Sequence, residues 1–264
     1  MSEARSRRYK AVIAYDGGAY SGWQYQDNAV GMQQIVEEVL AQLEGSFVRV
    51  FGSSRTDAGV HAKGFVAHFN LTKPIPPKNL VRAVNSRLPA AIRFLRASYA
   101  PDDFDARLSA KGKEYRYFVY QADIMPPHLA PYWTHCHREL DVAAMAAAAS
   151  RFVGRHDFVS FAANPNRVLE STVRNIFSFT VKRTGPRIVF SVKGDGFLYK
   201  QVRSMVGFLI SVGKGNEKPE AVSELLEAKA PRTARVETAP PQGLFLWQVY
   251  YKDQSVKVSH CHTY

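Results

Sequence analysis

Residues 51–69 read Phe51-Gly52-Ser53-Ser54-Arg55-Thr56-Asp57-Ala58-Gly59-Val60-His61-Ala62-Lys63-Gly64-Phe65-Val66-Ala67-His68-Phe69. A β-rich run enters this segment and an alternating apolar run leaves it, which predicts two strands joined by a loop. The three glycines of the loop permit tight or unusual backbone angles. Such a loop can hold Asp57 at the mouth of a sheet, where functional groups often lie on a rigid scaffold.

Asp57 has two interpretations. Arg55 lies two residues earlier, so both side chains point to the same side of an extended segment. A neighbouring cation favours the ionised carboxylate, which can act as a nucleophile or a base. The plainer alternative is an Asx-turn with an exposed Arg55–Asp57 ion pair of little energetic consequence. Spacing alone does not decide between them.

Hydrophobic periodicity predicts the same order of elements twice. In the first half, strands are predicted at 9–15, 47–51, 65–71 and 92–100, with helices at 33–43 and 79–88. In the second half, strands are predicted at 114–120, 173–181, 188–192 and 244–250, with helices at 142–152, 200–210 and 220–228. Asp141 is a plausible N-cap for the first of these helices, and Arg155, His156 and Asp157 are predicted to open a surface turn before Phe158.

The order β-α-β-β-α-β is the ferredoxin-like one. We therefore predict an α+β protein of two tandem ferredoxin-like halves, residues 1–108 and 109–251, whose sheets join around a central basic cleft. The tail, residues 252–264, matches nothing recognisable and is expected to be partly mobile.

Composition restricts the partners. Lys and Arg number 35 against 23 Asp and Glu, a net charge of +12, which suggests a polyanionic partner. No apolar run is long enough for a membrane span, and the basic N-terminus lacks a signal-type hydrophobic region, so we expect a cytoplasmic protein without a membrane partner. Two cysteines fit a reducing compartment.

The tripeptide His-Cys-His occurs at 135–137 and again at 260–262. Together the two copies contain enough ligands for zinc. However, consecutive strand residues point to opposite faces, and zinc ligands are usually separated by two or more residues. Coincidence is the favoured interpretation, and no metal site is predicted.

A series of motifs runs through nearly the whole chain. Ser54 to Ala62 resembles the active-site motif of the tRNA pseudouridine synthase A family. The other segments that resemble this family, in its own order, are Tyr15-Asp16-Gly17, Gly22-Trp23-Gln24, Phe104-Asp105-Ala106-Arg107, Lys113-Glu114-Tyr115-Arg116-Tyr117, Gly154-Arg155-His156-Asp157-Phe158, Gly196-Phe197-Leu198-Tyr199, Val202-Arg203 and Ala239-Pro240-Pro241-Gln242-Gly243-Leu244.

The resemblance implies the pseudouridine synthase fold and the isomerisation of uridine to pseudouridine in tRNA. It further implies action on the anticodon stem-loop, at tRNA positions 38 to 40, by a homodimer. The substrate keeps all its atoms, so no cofactor is required. The chain also has no GxGxxG or Walker A motif.

The resemblance also assigns the site. The essential Asp falls at Asp57, either as a nucleophile or as the base that removes the ribose 2′ proton, with proton abstraction slightly favoured. Arg55 would enter the RNA and hold the flipped base out, and Tyr115 would stack on the uracil. Arg203 would pair with Asp57 and orient it, while Leu198 would form the apolar floor of the pocket. The plain alternatives are packing for Tyr115 and Leu198 and a solvated helix edge for Arg203.

The sequence raises further questions of role. His61 and His68 could titrate near neutrality, but loop or RNA contacts are preferred for His61 and a structural role for His68. Asp105 and Arg107 would brace the site or bind RNA.

Two rival functions remain. A non-catalytic RNA-binding protein would explain the charge, although the aromatic RNP1 string is absent. A glycosidase would usually need a second acid, which the Asp57 loop lacks.

Overall fold

The computed structural model describes residues 6–163 and 170–252. Its strands are β1 (Arg7–Tyr15), β2 (Phe51–Gly52), β3 (His61–Leu71), β4 (Ile92–Tyr99), β5 (Gly112–Gln121), β6 (Thr134–Cys136), β7 (Gly154–Asp157), β8 (Val173–Thr184), β9 (Arg187–Gly194) and β10 (Leu244–Tyr250). Its helices are α1 (Met32–Glu44), α2 (Pro77–Asn85), α3 (Val142–Ser150), α4 (Gln201–Gly213) and α5 (Ala221–Ala228). Apart from residue 252, the predicted tail lies outside the described residues.

The strands form one mixed sheet in the order β4-β1-β3-β10-β5-β9-β8-β7, with β2 added to β3 and β6 to β5. If β6 and β7 are set aside, each half has four strands in the same spatial order: last, first, third, second. This gives β4-β1-β3-β2 in the first half and β10-β5-β9-β8 in the second. The α+β prediction and the repeated order of elements are therefore confirmed. The division of the chain after residue 108 stays a prediction, because the sheet continues from one half into the other.

The two halves meet where β3 and β10 pair in parallel. His61 is opposite Phe245 in this register, and Ala62 is opposite Leu246. β5 then pairs antiparallel with the other edge of β10. The loop that carries Asp57 ends at His61, so it lies at the junction of the halves.

Alternation along the central strand β5 sets its two faces. Tyr115, Tyr117 and Val119 are buried, whereas Arg116 and Phe118 between them are only half-buried. Period-two burial is what a strand produces when one face packs on the core. The buried face of β5 therefore contributes side chains to the interior that leads to the Asp57 loop.

The prediction of a strand at 47–51 is largely wrong, because only Phe51–Gly52 pairs with β3. Side chains of α1 explain the difference. The carboxylate of Glu37 accepts the N–H of Val50 at 2.9 Å, and the amide of Gln33 donates to the Val50 carbonyl at 3.1 Å. Since these backbone groups are satisfied by a helix, they need no strand partner.

The prediction of a turn at residues 155–157 is also wrong. Gly154–Asp157 forms β7, which pairs antiparallel with the start of β8. The reason lies in the register of β9, whose last residue, Gly194, is opposite Ile176. The first residues of β8 extend beyond the end of β9. On the edge of β8 that faces away from β9, where the sheet would otherwise end, β7 supplies hydrogen-bond partners for these residues.

The predicted cap of α3 is confirmed, since the Asp141 carboxylate accepts the N–H of Ala144 at 2.9 Å. Among the described residues, no helix combines the length and apolar character needed to cross a membrane.

Candidate active site

The Asp57 loop is held by main-chain hydrogen bonds to two other segments of the chain and by one bond within the loop. The N–H of Ser53 donates to Val66 of β3 at 2.8 Å, and the carbonyl of Thr56 accepts from Trp23 at 3.2 Å. The N–H of Val60 closes the loop on the Asp57 carbonyl at 3.2 Å. Asp57 therefore projects from a backbone with little freedom to move.

The N-terminal motifs of the sequence pack directly against this loop. The hydroxyls of Tyr15 and Thr56 are 2.8 Å apart and buried. A Cβ on Gly17 would lie 2.0 Å from the Val60 carbonyl oxygen, and one on Gly22 would lie 2.4 Å from the Thr56 oxygen. Real Cβ atoms do not approach backbone this closely, so both glycines are required for the contact.

Gly22→Ala is expected to destabilise the protein by more than about 2 kcal/mol, because the methyl group would displace the Thr56 carbonyl. Gly22 also has φ +95°, which disfavours any side chain. Urea unfolding measures the free-energy change. Gly185→Ala is the matched control, since Gly185 has φ +56° but no heavy atom within 4 Å of its added Cβ. Equal losses in the two variants would contradict the proposed contact.

Arg203 reaches Asp57 from helix α4 of the second half. Its Nη1 donates to Oδ2 of Asp57 at 2.9 Å, and the two side chains are 12% and 20% exposed. Its Nε donates to the Ala239 carbonyl at 2.8 Å, while the N–H of Ala239 donates back to the Arg203 carbonyl at 3.0 Å. The predicted pair is thus present, and a second anchor fixes the guanidinium.

Tyr115 lies on β5 beside the same loop. The pKa of its phenol is raised to about 12, mainly by burial; a hydrogen bond with Ser54 opposes the rise, and the nearby charge of Asp57 adds to it. The phenol is therefore neutral at pH 7. The ring of Phe197 meets it edge-on, with centroids 5.2 Å apart. Tyr115 can donate a hydrogen bond or stack on a base, but it cannot act as a base itself.

The other two predicted site residues occupy different positions. Leu198 is buried in the turn before α4, where its N–H donates to the side-chain oxygen of Gln201 at 2.7 Å. Arg55 is exposed on the Asp57 loop. The structure thus brings Asp57, Arg203 and Tyr115 together, and it leaves Arg55 at the surface of the same loop. The roles assigned to all five residues stay predictions.

His61 is a buried residue at the end of the Asp57 loop, and its ring is held by two other segments of the chain. Its Nδ1 accepts the N–H of Gly17 at 3.0 Å, and its Nε2 lies 3.1 Å from the Pro131 carbonyl. A carboxylate oxygen of Asp16 is also 3.1 Å from Nδ1. Nδ1 therefore faces both a donor, the N–H of Gly17, and an acceptor, the Asp16 carboxylate. Burial lowers the pKa of His61, and the Asp16 charge opposes this only in part.

His68 is structural in the same sense, as predicted. It is buried on β3, and its Nδ1 accepts the N–H of Ala106 at 3.0 Å. Burial lowers the pKa of His68 from 6.5, and the charge of Asp105 opposes this only in part. The carboxylate of Asp105 accepts the N–H groups of Arg107 and Leu108, both at 2.7 Å, so it braces the segment that carries Arg107.

The buried histidines predict a stability that falls as the pH decreases below about 7. A histidine with a lowered folded pKa binds fewer protons in the folded than in the unfolded state, so stability rises with pH in this window. The urea midpoint should therefore drop between pH 7 and pH 5, with a shallower drop in His68→Gln. His137→Gln, at an exposed histidine, should keep the wild-type slope. Identical slopes in all three proteins would contradict this account.

Some contacts of the site were not predicted from the sequence. The Tyr15–Thr56 hydrogen bond and the edge-on contact of Phe197 with Tyr115 join residues far apart in the chain. All four residues belong to the motifs quoted above, but the motifs do not indicate which residue contacts which. Glycines at 17 and 22, within the same motifs, were the clearest local indication of a close backbone contact.

The described residues contain no group of three or more potential ligands that could hold a metal ion. In the first His-Cys-His copy, His135 Nε2 lies 2.8 Å from the Ala122 carbonyl and His137 Nδ1 lies 3.1 Å from that of Asp123. The second copy, 260–262, lies outside the described residues.

The site is defined by one loop carboxylate fixed by an arginine and faced by a neutral tyrosine, at the junction of two α+β halves. A family model described as tRNA pseudouridine synthase matches residues 11–108 and 148–252. The tRNA pseudouridine synthase A of Solibacter usitatus is 45% identical over 247 residues, covering 93% of this chain and 100% of that protein. The enzyme of the same name from Exiguobacterium sp. is 43% identical over 247 residues, covering 93% and 98%.

The chain therefore belongs to the tRNA pseudouridine synthase family. A solved structure titled as the archaeal box H/ACA sRNP Nop10–Cbf5 complex is also similar, at 14% identity and a TM-score of 0.36, covering 77% of this chain and 43% of that one. The conclusion rests on the sequence matches alone.

Proposed function

We propose that this protein isomerises uridine to pseudouridine in tRNA, without a cofactor, and that its targets are positions 38 to 40 of the anticodon stem-loop. The observation that carries the proposal is the Arg203–Asp57 pair at the junction of the halves, found in a chain of this family. The net charge of +12 suits a polyanionic substrate. By the same resemblance we propose a cytoplasmic homodimer in which one tRNA contacts both subunits.

In the proposed mechanism, Asp57 removes the ribose 2′ proton. The electron pair of that C–H bond forms a C1′–C2′ double bond as the N-glycosidic bond breaks, and uracil leaves with the bonding pair. The uracil rotates, its C5 attacks C1′, and the proton returns to C2′. The C5 hydrogen is then lost to water as a proton, and N1, which left with the bonding pair, takes up a proton, so that the product is a neutral isomer of the substrate. Nucleophilic attack by Asp57 on C1′ is the alternative, and it leads to the same product.

The other residues act on geometry. Arg203 would hold the carboxylate towards the sugar, and its charge acts over a partly dry contact, where attraction exceeds that in water. The target nucleotide must leave its stack to reach Asp57. Arg55, exposed on the loop, would occupy the vacated space, while Tyr115 stacks on the uracil above the apolar surface of Leu198.

Tritium release from tRNA labelled with 5-³H-uridine tests the proposal. Bond formation at C5 must expel the label, whereas binding alone cannot. Wild-type protein should release tritium from a full tRNA pool, and sequencing of the product should place pseudouridine at positions 38 to 40. If well-folded protein binds tRNA without releasing tritium, the proposal fails and the non-catalytic RNA-binding function takes its place.

A further inference from the structure

Lys113 occupies an unusual position near the candidate site. It lies on β5, where it pairs with Gly194 of β9 on one side and with Val249 of β10 on the other. Neither partner across the sheet carries a charge. Alternation places the side chain of Lys113 on the same face as Tyr115, about 7 Å along the strand. Lys113 is half-buried, and its side chain forms no hydrogen bond or ion pair with another described residue.

Two arginines act on the charge of Lys113. Burial, together with the charges of Arg107 and Arg174, lowers the pKa of Lys113 to about 8. These arginines come from two other segments: Arg107 from the connection between β4 and β5, and Arg174 from β8. Within the described ranges none of the three cations has a carboxylate within 4.0 Å, and the carboxylate nearest to Arg107 along the chain, that of Asp105, already accepts two backbone N–H groups.

This cationic cluster, Arg107, Lys113 and Arg174, adjoins the pocket of Tyr115. The ring of Phe197, which meets Tyr115 edge-on, lies 3.2 Å from the position of a Cβ on Gly194, the strand partner of Lys113. The side chain of Arg174 comes within 3.7 Å of a Cβ position on Gly196. The cluster therefore borders residues 195–200, the loop between β9 and α4 that carries Phe197 and Leu198.

A half-buried lysine beside two like charges reduces the stability of the fold. An anion inserted among the three would remove that cost and gain charge-assisted hydrogen bonds. The proposed substrate supplies such an anion at every nucleotide. We propose that Arg107, Lys113 and Arg174 bind a backbone phosphate of the RNA next to the uridine that enters the site. This inference rests on the proposed function and adds a substrate-positioning site to it.

The test compares Lys113→Gln and Arg174→Gln with Lys182→Gln, which removes the same charge from an exposed position of β8. Binding of an anticodon stem-loop RNA is measured by anisotropy over a range of KCl concentrations. Loss of one phosphate contact should reduce the slope of log affinity against log salt by about 0.7 to 0.9 and weaken binding about tenfold. Lys182→Gln should match the wild type. The rate of tritium release at subsaturating RNA should fall in step with affinity for Lys113→Gln and Arg174→Gln, whereas Lys182→Gln should keep the wild-type rate.

A second measurement identifies the anion. A neutral methylphosphonate is placed in turn at each linkage flanking the target uridine. At one linkage, the methylphosphonate should weaken RNA binding by the wild type but should not weaken RNA binding by Lys113→Gln any further. Melting temperatures should show that Lys113→Gln is at least as stable as the wild type, which excludes misfolding as the cause.

The outcomes separate the two proposals. Tritium release by the wild type together with identical salt slopes for Lys113→Gln and Lys182→Gln would overturn the phosphate site and leave the proposed function standing. A wild type that releases no tritium, but whose salt slope still depends on Lys113, would support the phosphate site in a non-catalytic RNA-binding protein. Fully additive effects of the methylphosphonates and Lys113→Gln at all linkages would also overturn the site.

Discussion

Asp57→Asn is expected to lower the rate of tritium release by about 10⁴-fold or more while tRNA affinity changes less than threefold. The amide has nearly the shape of the carboxylate, so the loop and its contact with Arg203 can persist. It has no negative charge, however, and can neither take up the 2′ proton nor attack the sugar carbon. Single-turnover release with enzyme in excess measures the chemical step separately from binding.

Two further variants sharpen this prediction. Asp57→Glu keeps the charge but moves it by one methylene, and misplacement by about 1 Å can cost 10²-fold in rate. Asp103→Asn, at an exposed aspartate, should be fully active. Tritium release by Asp57→Asn at the wild-type rate would keep the activity and remove Asp57 from the mechanism. A parallel loss of affinity and rate would instead indicate that the loop had collapsed.

Much of the fold follows from local patterns. Period-two alternation predicted β5 and β10 closely, because their buried faces are set by the pleat. The same pattern failed at Val48 and Val50, which are buried as a strand would require. Hydrophobicity cannot distinguish a strand from an extended segment whose N–H and carbonyl bind the Glu37 and Gln33 side chains. Such choices depend on tertiary contacts.

Less of the candidate site than of the fold could be predicted from local patterns. Asp57 could be selected from its glycine-rich loop, but its partner Arg203 lies 146 residues away. Spacing within one segment could suggest only Arg55 as a neighbouring cation, whereas the structure also brings Arg203 to Asp57 from α4. Only a motif taken from related sequences could connect the two. The cationic environment of Lys113 was also hidden, because it combines three segments that no local pattern relates.

Arg203→Met is expected to lower the tritium-release rate by about 10² to 10³-fold, the scale seen when one fixed electrostatic contact is removed from an active site. Methionine fills similar space but leaves the Asp57 carboxylate without its ion pair and the Ala239 carbonyl without the Nε donor. Arg203→Lys keeps the charge, yet a single ammonium cannot reproduce the planar fork that reaches both acceptors. We expect a loss of about tenfold for Arg203→Lys.

A double-mutant cycle shows whether Arg203 acts through Asp57. If its main role is to hold that carboxylate, Arg203→Met should cost much less free energy of unfolding in the Asp57→Asn background than in the wild type. The difference, the coupling energy, should be about 1–3 kcal/mol, as expected for directly bonded and partly buried groups. It should also change little with salt, because screening is weak for a pair whose side chains are only 12% and 20% exposed. A coupling energy near zero would mean that Arg203 stabilises the protein through Ala239 alone, and orientation of the carboxylate would then need another cause.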